Sequence, residues 1–267
     1  MNPKLRTGMY QITVVALAIG CSSAKSPEAQ ATPEPAAPIQ VAQADAAAAP
    51  AATGGSATIT GSVTLVGAAP VQDKIKMDAD PQCALQHNEP VYKEEVVANP
   101  NGTLRNAFVY VKQGLEGKTF ATPTTPAQFN QRGCRYEPHV LGVQVNQPME
   151  ILNSDATLHN VNCKPTKSKP FNIAQPVKGM KSSKTFTAPE VMVKCACNVH
   201  PWMNAYMGVL PHPFFSVTRD DGRFTLAGLP AGTYTVEAWQ EKLGTQTQTV
   251  TVADGESKSV DFEFKAQ

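Results

Sequence analysis

The sequence predicts an all-β protein built from antiparallel sandwiches of short strands. Apolar and polar residues alternate in short segments along the chain, and turn residues separate the segments. The 267 residues include 22 Pro and 18 Gly, and only 7% are aromatic, a composition that favours many turns. This composition argues against an all-helical fold.

The first twenty residues have the pattern of a secretory signal. Lys4 and Arg6 precede an apolar run at residues 12–20, which is far shorter than the roughly 20 residues that span a bilayer. Residues 17–21, Leu-Ala-Ile-Gly-Cys, resemble a bacterial lipobox, in which the cysteine becomes the lipidated first residue. We therefore expect a signal peptide at 1–20 and a lipidated Cys21 on an exported, periplasmic protein, with Ser22 favouring the outer membrane. Because Ala18 stands where Leu is usual, cleavage without lipid stays an alternative.

Residues 21–57 consist mainly of Ala, Pro, Gln, Ser and Thr. Such a segment buries too little apolar surface to offset its conformational entropy. It is predicted to be a disordered tether between the lipid and the folded part.

The predicted strands beyond the tether fall into groups separated by proline-rich breaks. They lie at residues 58–66, 107–112, 140–145, 149–153, 159–163, 214–218, 223–226, 234–239, 246–252 and 260–264. The break at 121–126 predicts a domain boundary.

The charge balance gives no electrostatic footprint for nucleic acid or for an anionic membrane surface. The formal net charge is +1, and loss of Lys4 and Arg6 with the signal would bring the mature chain near −1. This balance predicts no nucleic-acid partner.

Four residues in two segments have the side chains of a soft metal site. Cys197, His200 and Met203 follow one another with two residues between neighbours, and His159 lies upstream in a predicted strand. A thiolate and two imidazoles suit both Cu(I) and Cu(II), and a thioether is the weak axial ligand of blue copper sites. The four residues therefore predict one type 1 copper ion.

Other interpretations of these residues stay open. Alone, His159 would be structural, Cys197 half of a disulfide and Met203 core packing. A structural zinc would use His159, Cys195, Cys197 and His200 but leave Met203 without a role. A binuclear copper site would need both cysteines, and its usual three-residue gap is absent.

The segments around these residues resemble the plastocyanin-like branch of the cupredoxin family. There the first His is followed by Asn-Val, as in His159-Asn160-Val161, and Cys, the second His and Met share one loop. The resemblance implies that His159, Cys197, His200 and Met203 are ligands and that Asn160 braces the ligand loop by hydrogen bonds. The gap from His200 to Met203 is shorter than in plastocyanin. Trp202, Tyr206, Met207 and Leu158 would form either an apolar rim where His200 reaches the surface or ordinary core.

Four cysteines remain once Cys21 is assigned to lipid and Cys197 to copper. Cys163 lies close to His159 in sequence and Cys195 close to Cys197, so the strands that join these ligands also favour a Cys163–Cys195 disulfide. This pairing leaves Cys83 with Cys134.

Residues 221–239 resemble the carboxypeptidase regulatory-like, transthyretin-like sandwich through their Gly-Leu-Pro-x-Gly-x-Tyr turn. Residues 59–65 resemble the opening strand of that family. Together the two resemblances imply a cupredoxin Greek-key domain at 127–213, inserted in a regulatory-like sandwich made of 57–126 and 214–267. Fused chains of this kind resemble methylamine-utilisation-like bacterial lipoproteins.

These features predict an electron-transfer protein that passes one electron through His200 to an unknown redox partner protein. Copper delivery from an open site, or a glycan-binding or protein-binding envelope module with incidental metal, are the alternatives. We expect no enzymatic activity, because a fully ligated copper leaves substrate no coordination position.

Overall fold

The computed structural model describes residues 54–266, which are almost entirely β structure and confirm the all-β fold class. The predicted signal peptide, the lipidation at Cys21 and nearly all of the tether lie outside the described residues. One four-residue helix, α1 (Pro81–Ala84), accompanies seventeen strands in this part of the chain. The strands are β1 (Ala57–Val66), β2 (Phe108–Gln113), β3 (Ala127–Arg132), β4 (Arg135–Glu137), β5 (Val140–Gln144), β6 (Met149–Asn153), β7 (His159–Cys163), β8 (Phe171–Gln175), β9 (Lys181–Lys184), β10 (Glu190–Ala196), β11 (Asn204–Leu210), β12 (Phe215–Val217), β13 (Arg223–Leu229), β14 (Gly232–Gln240), β15 (Gly244–Val252), β16 (Ser257–Ser259) and β17 (Phe262–Lys265).

The first sandwich combines the start of the described chain with its end. One sheet has the order β13-β1-β16, with β17 also paired to β1, and the other has the order β12-β2-β14-β15. In β1 the side chains of Ala57, Ile59 and Val63 are buried, whereas the threonines and serine between them are only partly buried. This alternation of period two directs one face of the strand to the core.

The second sandwich contains strands β3 to β11. Its sheets have the orders β5-β11-β10-β7-β8 and β4-β3-β6-β9. Its core holds Phe129, Ile151, Val161 and Phe186 together with the buried cysteines.

The strand pairing differs in one respect from the predicted antiparallel sandwiches. The pairs β1–β16, β1–β17, β3–β6 and β5–β11 are parallel. Each parallel pair joins strands connected by a long stretch of chain, because a tight hairpin can join only antiparallel neighbours.

The segment between β1 and β2 does not belong wholly to the first sandwich, where the sequence placed it. Ile75, Met77 and Cys83 lie in the core of the second sandwich, although Val96 and Leu104 pack in the first. The disulfide from Cys83 to Cys134 explains the difference, since it fixes the segment to the second sandwich.

The two sandwiches share a small apolar cluster formed around Phe108, Tyr110, Val140 and Leu210. Beside it, the Tyr206 and Trp239 rings have centroids 5.1 Å apart. The imidazole of His139 and the carboxylate of Glu241 form a buried hydrogen bond across the same boundary. Within residues 54–266, no helix is long and apolar enough to cross a membrane.

His212 lies on the connection from β11 to β12 and is buried as a neutral ring. Its Nε2–H donates to the Val111 carbonyl at 3.0 Å, and the Phe214 N–H donates to its Nδ1 at 3.3 Å. Burial lowers the pKa of His212 to about 4, although the hydrogen bond to Val111 acts in the opposite direction.

We expect this buried histidine to make the fold sensitive to acid. An unfolded histidine has a pKa of about 6.5, so the contribution of His212 is complete above that pH and is lost as the pH falls to 4. The difference amounts to about 3 kcal/mol. Urea unfolding at pH 7 and pH 4 should show a smaller loss of stability for His212→Gln than for the native chain. An equal loss in both proteins would contradict this expectation.

Candidate metal centre

Neighbouring strands of one sheet bring the predicted ligands together. Strand β7 begins at His159 and pairs with β10, with Cys163 opposite Cys195 and Asn162 opposite Ala196. Cys197 follows β10 directly, so it lies beside His159 although 38 positions separate them in the chain. His200 is on the turn that follows, and Met203 precedes β11.

Backbone hydrogen bonds close the loop from Cys197 to Met203. The Cys197 N–H donates to the Met203 carbonyl at 3.0 Å, and the Met203 N–H donates to the His200 carbonyl at 2.9 Å. The His200 N–H points at the Cys197 sulfur, 3.4 Å away. The short spacing of the three residues therefore forms a compact turn, and the side chain of Met203 is buried in the same core as Cys197.

The side chains of His159, Cys197 and His200 converge inside the protein. One ligand atom from each lies within 4.8 Å of the other two, and all three residues are buried. The two Nδ1 atoms are 2.9 Å apart, and the His200 Nδ1 is 3.8 Å from the Cys197 sulfur. The thiol of Cys197 is free of any disulfide.

A carboxylate holds the outer nitrogen of each imidazole. The Nε2 of His159 is 2.9 Å from Asp155 Oδ2, and the Nε2 of His200 is 2.9 Å from Asp80 Oδ2. An ionised carboxylate only accepts hydrogen bonds, so each Nε2 carries its proton and each Nδ1 faces inward, where it can bind a proton or a metal ion. Two ring nitrogens only 2.9 Å apart need a cation between them, either a proton or a metal ion. The donor set thus fits a soft metal ion bound through the two Nδ1 atoms and the sulfur.

The groups around the site favour the ionised thiolate of Cys197 and the protonated imidazole of His159. Burial raises the pKa of Cys197, but hydrogen bonds from His159 and from backbone N–H groups lower it by more, to about 6. Burial lowers the pKa of His159, yet its hydrogen bonds to Asp155 and Cys197 raise it to about 9. Together these shifts favour a thiolate at Cys197, the form that binds metals.

Asp155 is held by several donors at once. The backbone N–H groups of Gly133 and Cys134 donate to its two oxygens at 2.8 Å, in addition to the contact with His159. Although burial raises the pKa of Asp155, these hydrogen bonds lower it by more, so the carboxyl is ionised. The pattern of Asp155 four residues before His159 is visible in the sequence, yet its role was not predicted.

Asn160 makes the contacts that the cupredoxin resemblance implied for it. Its Oδ1 accepts the Asn198 N–H at 2.7 Å and lies 3.3 Å from the Cys197 sulfur. These bonds tie β7 to the ligand loop.

The structure contains the two disulfides Cys83–Cys134 and Cys163–Cys195. Cys195 therefore offers no thiolate to a metal. The interpretations as a zinc site or a binuclear copper site, which use both Cys195 and Cys197, are wrong. Cys197 is not half of a disulfide, so its sulfur can be a metal ligand.

The prediction that His200 reaches the surface is wrong. Only 2% of the residue is exposed, because α1 and the residue before it cover the imidazole edge with Asp80 and with the Cys83 sulfur, 3.5 Å from Nε2. The predicted apolar rim is also divided. Met207 is core and Tyr206 packs on Trp239, whereas Leu158 is exposed and the half-buried Trp202 ring lies 5.1 Å from that of His200.

Asp80 is a residue of the site that sequence reasoning missed. It stands 120 positions before His200, in the connection that the sequence assigned to the other sandwich. The only signal there is an Asp-Pro pair typical of a helix start, which does not indicate a distant imidazole.

Residues 212–265 match the family model of the carboxypeptidase regulatory-like domain. The match spans strands β12 to β17 of the first sandwich and confirms that part of the predicted combination. No curated protein matches the sequence at a significant level.

Several solved copper proteins are similar to part of the chain. A copper-containing nitrite reductase from Thermus scotoductus SA-01 is 22% identical over 36% of this chain and 25% of its own, with a TM-score of 0.30. A purple cupredoxin from Nitrosopumilus maritimus is 22% identical over 31% of this chain and 98% of its own, with a TM-score of 0.27. An amicyanin mutant in the Cu(I) state is 23% identical over 32% of this chain and 81% of its own, with a TM-score of 0.28. The chain therefore spans about a quarter of the length of the nitrite reductase.

Proposed function

We propose that His159, Cys197, His200 and Met203 hold one type 1 copper ion and that the protein transfers single electrons. The observation that carries this proposal is the buried convergence of one free thiol and two inward-facing Nδ1 atoms. When bound by such a set, copper exchanges one electron between Cu(I) and Cu(II).

The polypeptide holds the four proposed ligands rigidly. Asp155, Asp80 and Asn160 fix the ligands by hydrogen bonds. A disulfide joins β7, which begins at His159, to β10, which Cys197 follows directly. A site that is held this firmly changes little between oxidation states, which favours electron transfer over release of the metal to another protein. Burial of all four proposed ligands also keeps substrates away, so we propose no enzymatic activity.

The redox partner in this proposal is another protein, and no nucleic acid takes part. The near-zero net charge supplies no overall attraction for nucleic acid. Because His200 is buried, we propose that electrons leave past Trp202, whose half-buried ring lies next to His200, and not through an exposed His200 edge.

We further propose that the protein is exported and held by lipid at Cys21 in the bacterial envelope, on the outer membrane. The basic and apolar residues before Cys21 support export, and two disulfides in the described part are typical of an oxidising compartment. Metabolic labelling with a fatty acid should mark the native chain and not Cys21→Ser.

Absorption spectroscopy of the purified protein tests the electron-transfer proposal. Addition of one equivalent of Cu(II) should give an intense visible thiolate-to-copper band that a mild reductant removes and an oxidant restores. Binding of Cu(I) alone with ready loss to a chelator would indicate copper delivery instead. A binding module with incidental metal would keep its activity in Cys197→Ser.

A further inference from the structure

Asp80 reaches the metal centre from a segment outside strands β3 to β11, which make up the sheets of the second sandwich. It belongs to the connection between β1 and β2, and its position is fixed by its neighbours. Cys83, three residues later, is bonded to Cys134 of the second sandwich, and the Thr157 hydroxyl donates to Asp80 Oδ2 at 2.9 Å.

The two oxygens of Asp80 have different partners. Oδ1 accepts the Gln82 N–H at 2.9 Å and so caps α1, a structural role. Oδ2 accepts from Thr157 and from the Nε2–H of His200. A helix cap needs only the first oxygen, so the contact with His200 has a separate cause.

The contact with His200 determines how the imidazole is presented. A carboxylate at Nε2 keeps the proton on that nitrogen, and the lone pair of Nδ1 then faces His159 and Cys197. The negative charge also lies close to the ligand, in a site where His200 is almost fully buried and Asp80 is 21% exposed in its side chain. Such a charge stabilises the more positive oxidation state of a bound ion.

We infer that Asp80 is a positioning residue of the copper centre, which orients His200 as a ligand through Nδ1 and favours Cu(II) over Cu(I). The inference rests on the proposed function for its redox part. The orientation of His200 is independent of copper and can be measured on the metal-free chain.

Asp80→Asn separates the two roles of the residue. Asparagine is as good a helix cap as aspartate, so α1 is retained, but the carboxylate charge at His200 is lost. The matched control is Asp78→Asn, which removes the same charge from an exposed side chain two residues away.

The reduction potential is the first measurement. Loss of a partner of a metal-bound histidine typically changes metal affinity by about 10-fold to 100-fold. If Asp80→Asn weakens Cu(II) binding tenfold relative to Cu(I), the one-electron potential rises by about 59 mV. Asp78→Asn should leave the potential close to that of the native protein. Equal potentials in the two variants would overturn the inference.

Nitrogen NMR of the metal-free protein is the second measurement, and it needs only the native chain if Asp80→Asn does not fold. The native His200 ring should carry a hydrogen-bonded proton on Nε2, and Asp80→Asn should lose this signal or shift it strongly. A His200 ring protonated on Nδ1 alone in the native chain would overturn the inference. If the native chain shows the Nε2 proton but forms no visible copper band, the proposed electron transfer fails while the positioning of His200 stands.

Discussion

Replacement of Cys197 by serine is expected to abolish the intense visible band of the copper-loaded protein completely. The band requires a thiolate bound to Cu(II), and Cys197 is the only cysteine of the described residues outside a disulfide. A serine hydroxyl is similar in size but is a hard, neutral donor, so the variant should also bind Cu(I) far more weakly. Absorption spectra and titration with a competing Cu(I) chelator measure the two effects.

The same substitution at another position provides the control. Cys21→Ser changes a cysteine outside the described residues and should leave the visible band unchanged. If Cys197→Ser retained the band, the sulfur bound to copper would have to come from elsewhere, and the site built from His159, Cys197 and His200 would be wrong.

Removal of the Cys83–Cys134 disulfide is expected to lower the free energy of unfolding by about 4 kcal/mol. The bond closes a loop of 51 residues, and a crosslink of this length restricts the unfolded chain by roughly that amount. Urea denaturation of the Cys83→Ala, Cys134→Ala double variant measures the loss.

The same double variant should also bind copper about 10-fold to 100-fold more weakly. Cys83 anchors the segment with Asp80, and the Cys134 N–H holds Asp155, so both carboxylates lose support when the bond is removed. The control is Phe224→Ala, which deletes a buried ring in the first sandwich and costs a comparable amount, about 3–5 kcal/mol. Equal copper affinity in the two variants would show that the disulfide acts on stability alone.

The four ligands could be predicted from the sequence because three of them are close together in the chain. Cys197, His200 and Met203 lie on one turn, and the alternating pattern at 159–163 identified β7, so only one strand pairing had to be inferred. The Cys163–Cys195 pair could be predicted from the same strand pairing, since the two residues are directly opposite each other in β7 and β10. The Cys83–Cys134 pair then followed as the remaining one.

Contacts between residues far apart in the chain could not be predicted from the sequence. No local pattern links Asp80 to His200, and without that contact the imidazole was expected at the surface. Several strands were also missed, for a different reason. Strand β9 has the sequence Lys-Ser-Ser-Lys and shows no apolar alternation, and β11 is buried at most of its positions, so neither has the pattern of a half-buried strand.

The domain boundaries were predicted from the strands. The prediction differs from the structure in the stretch that has no strands. Residues 67–106 contain only isolated bridges and α1, so periodicity gave no information about which core they join. The disulfide and the apolar side chains of Ile75 and Met77 place the first part of this stretch in the second sandwich. The metal centre therefore depends on a segment from outside the strands that carry its ligands.

X-ray absorption at the copper K edge of the loaded protein tests most directly whether one thiolate and two imidazoles bind a single ion. The spectrum of the native protein should require one short copper–sulfur distance and two imidazole nitrogens per copper, and Cys197→Ser should lose the sulfur. A spectrum that fits only nitrogen and oxygen ligands, or a second copper neighbour, would contradict the assignment.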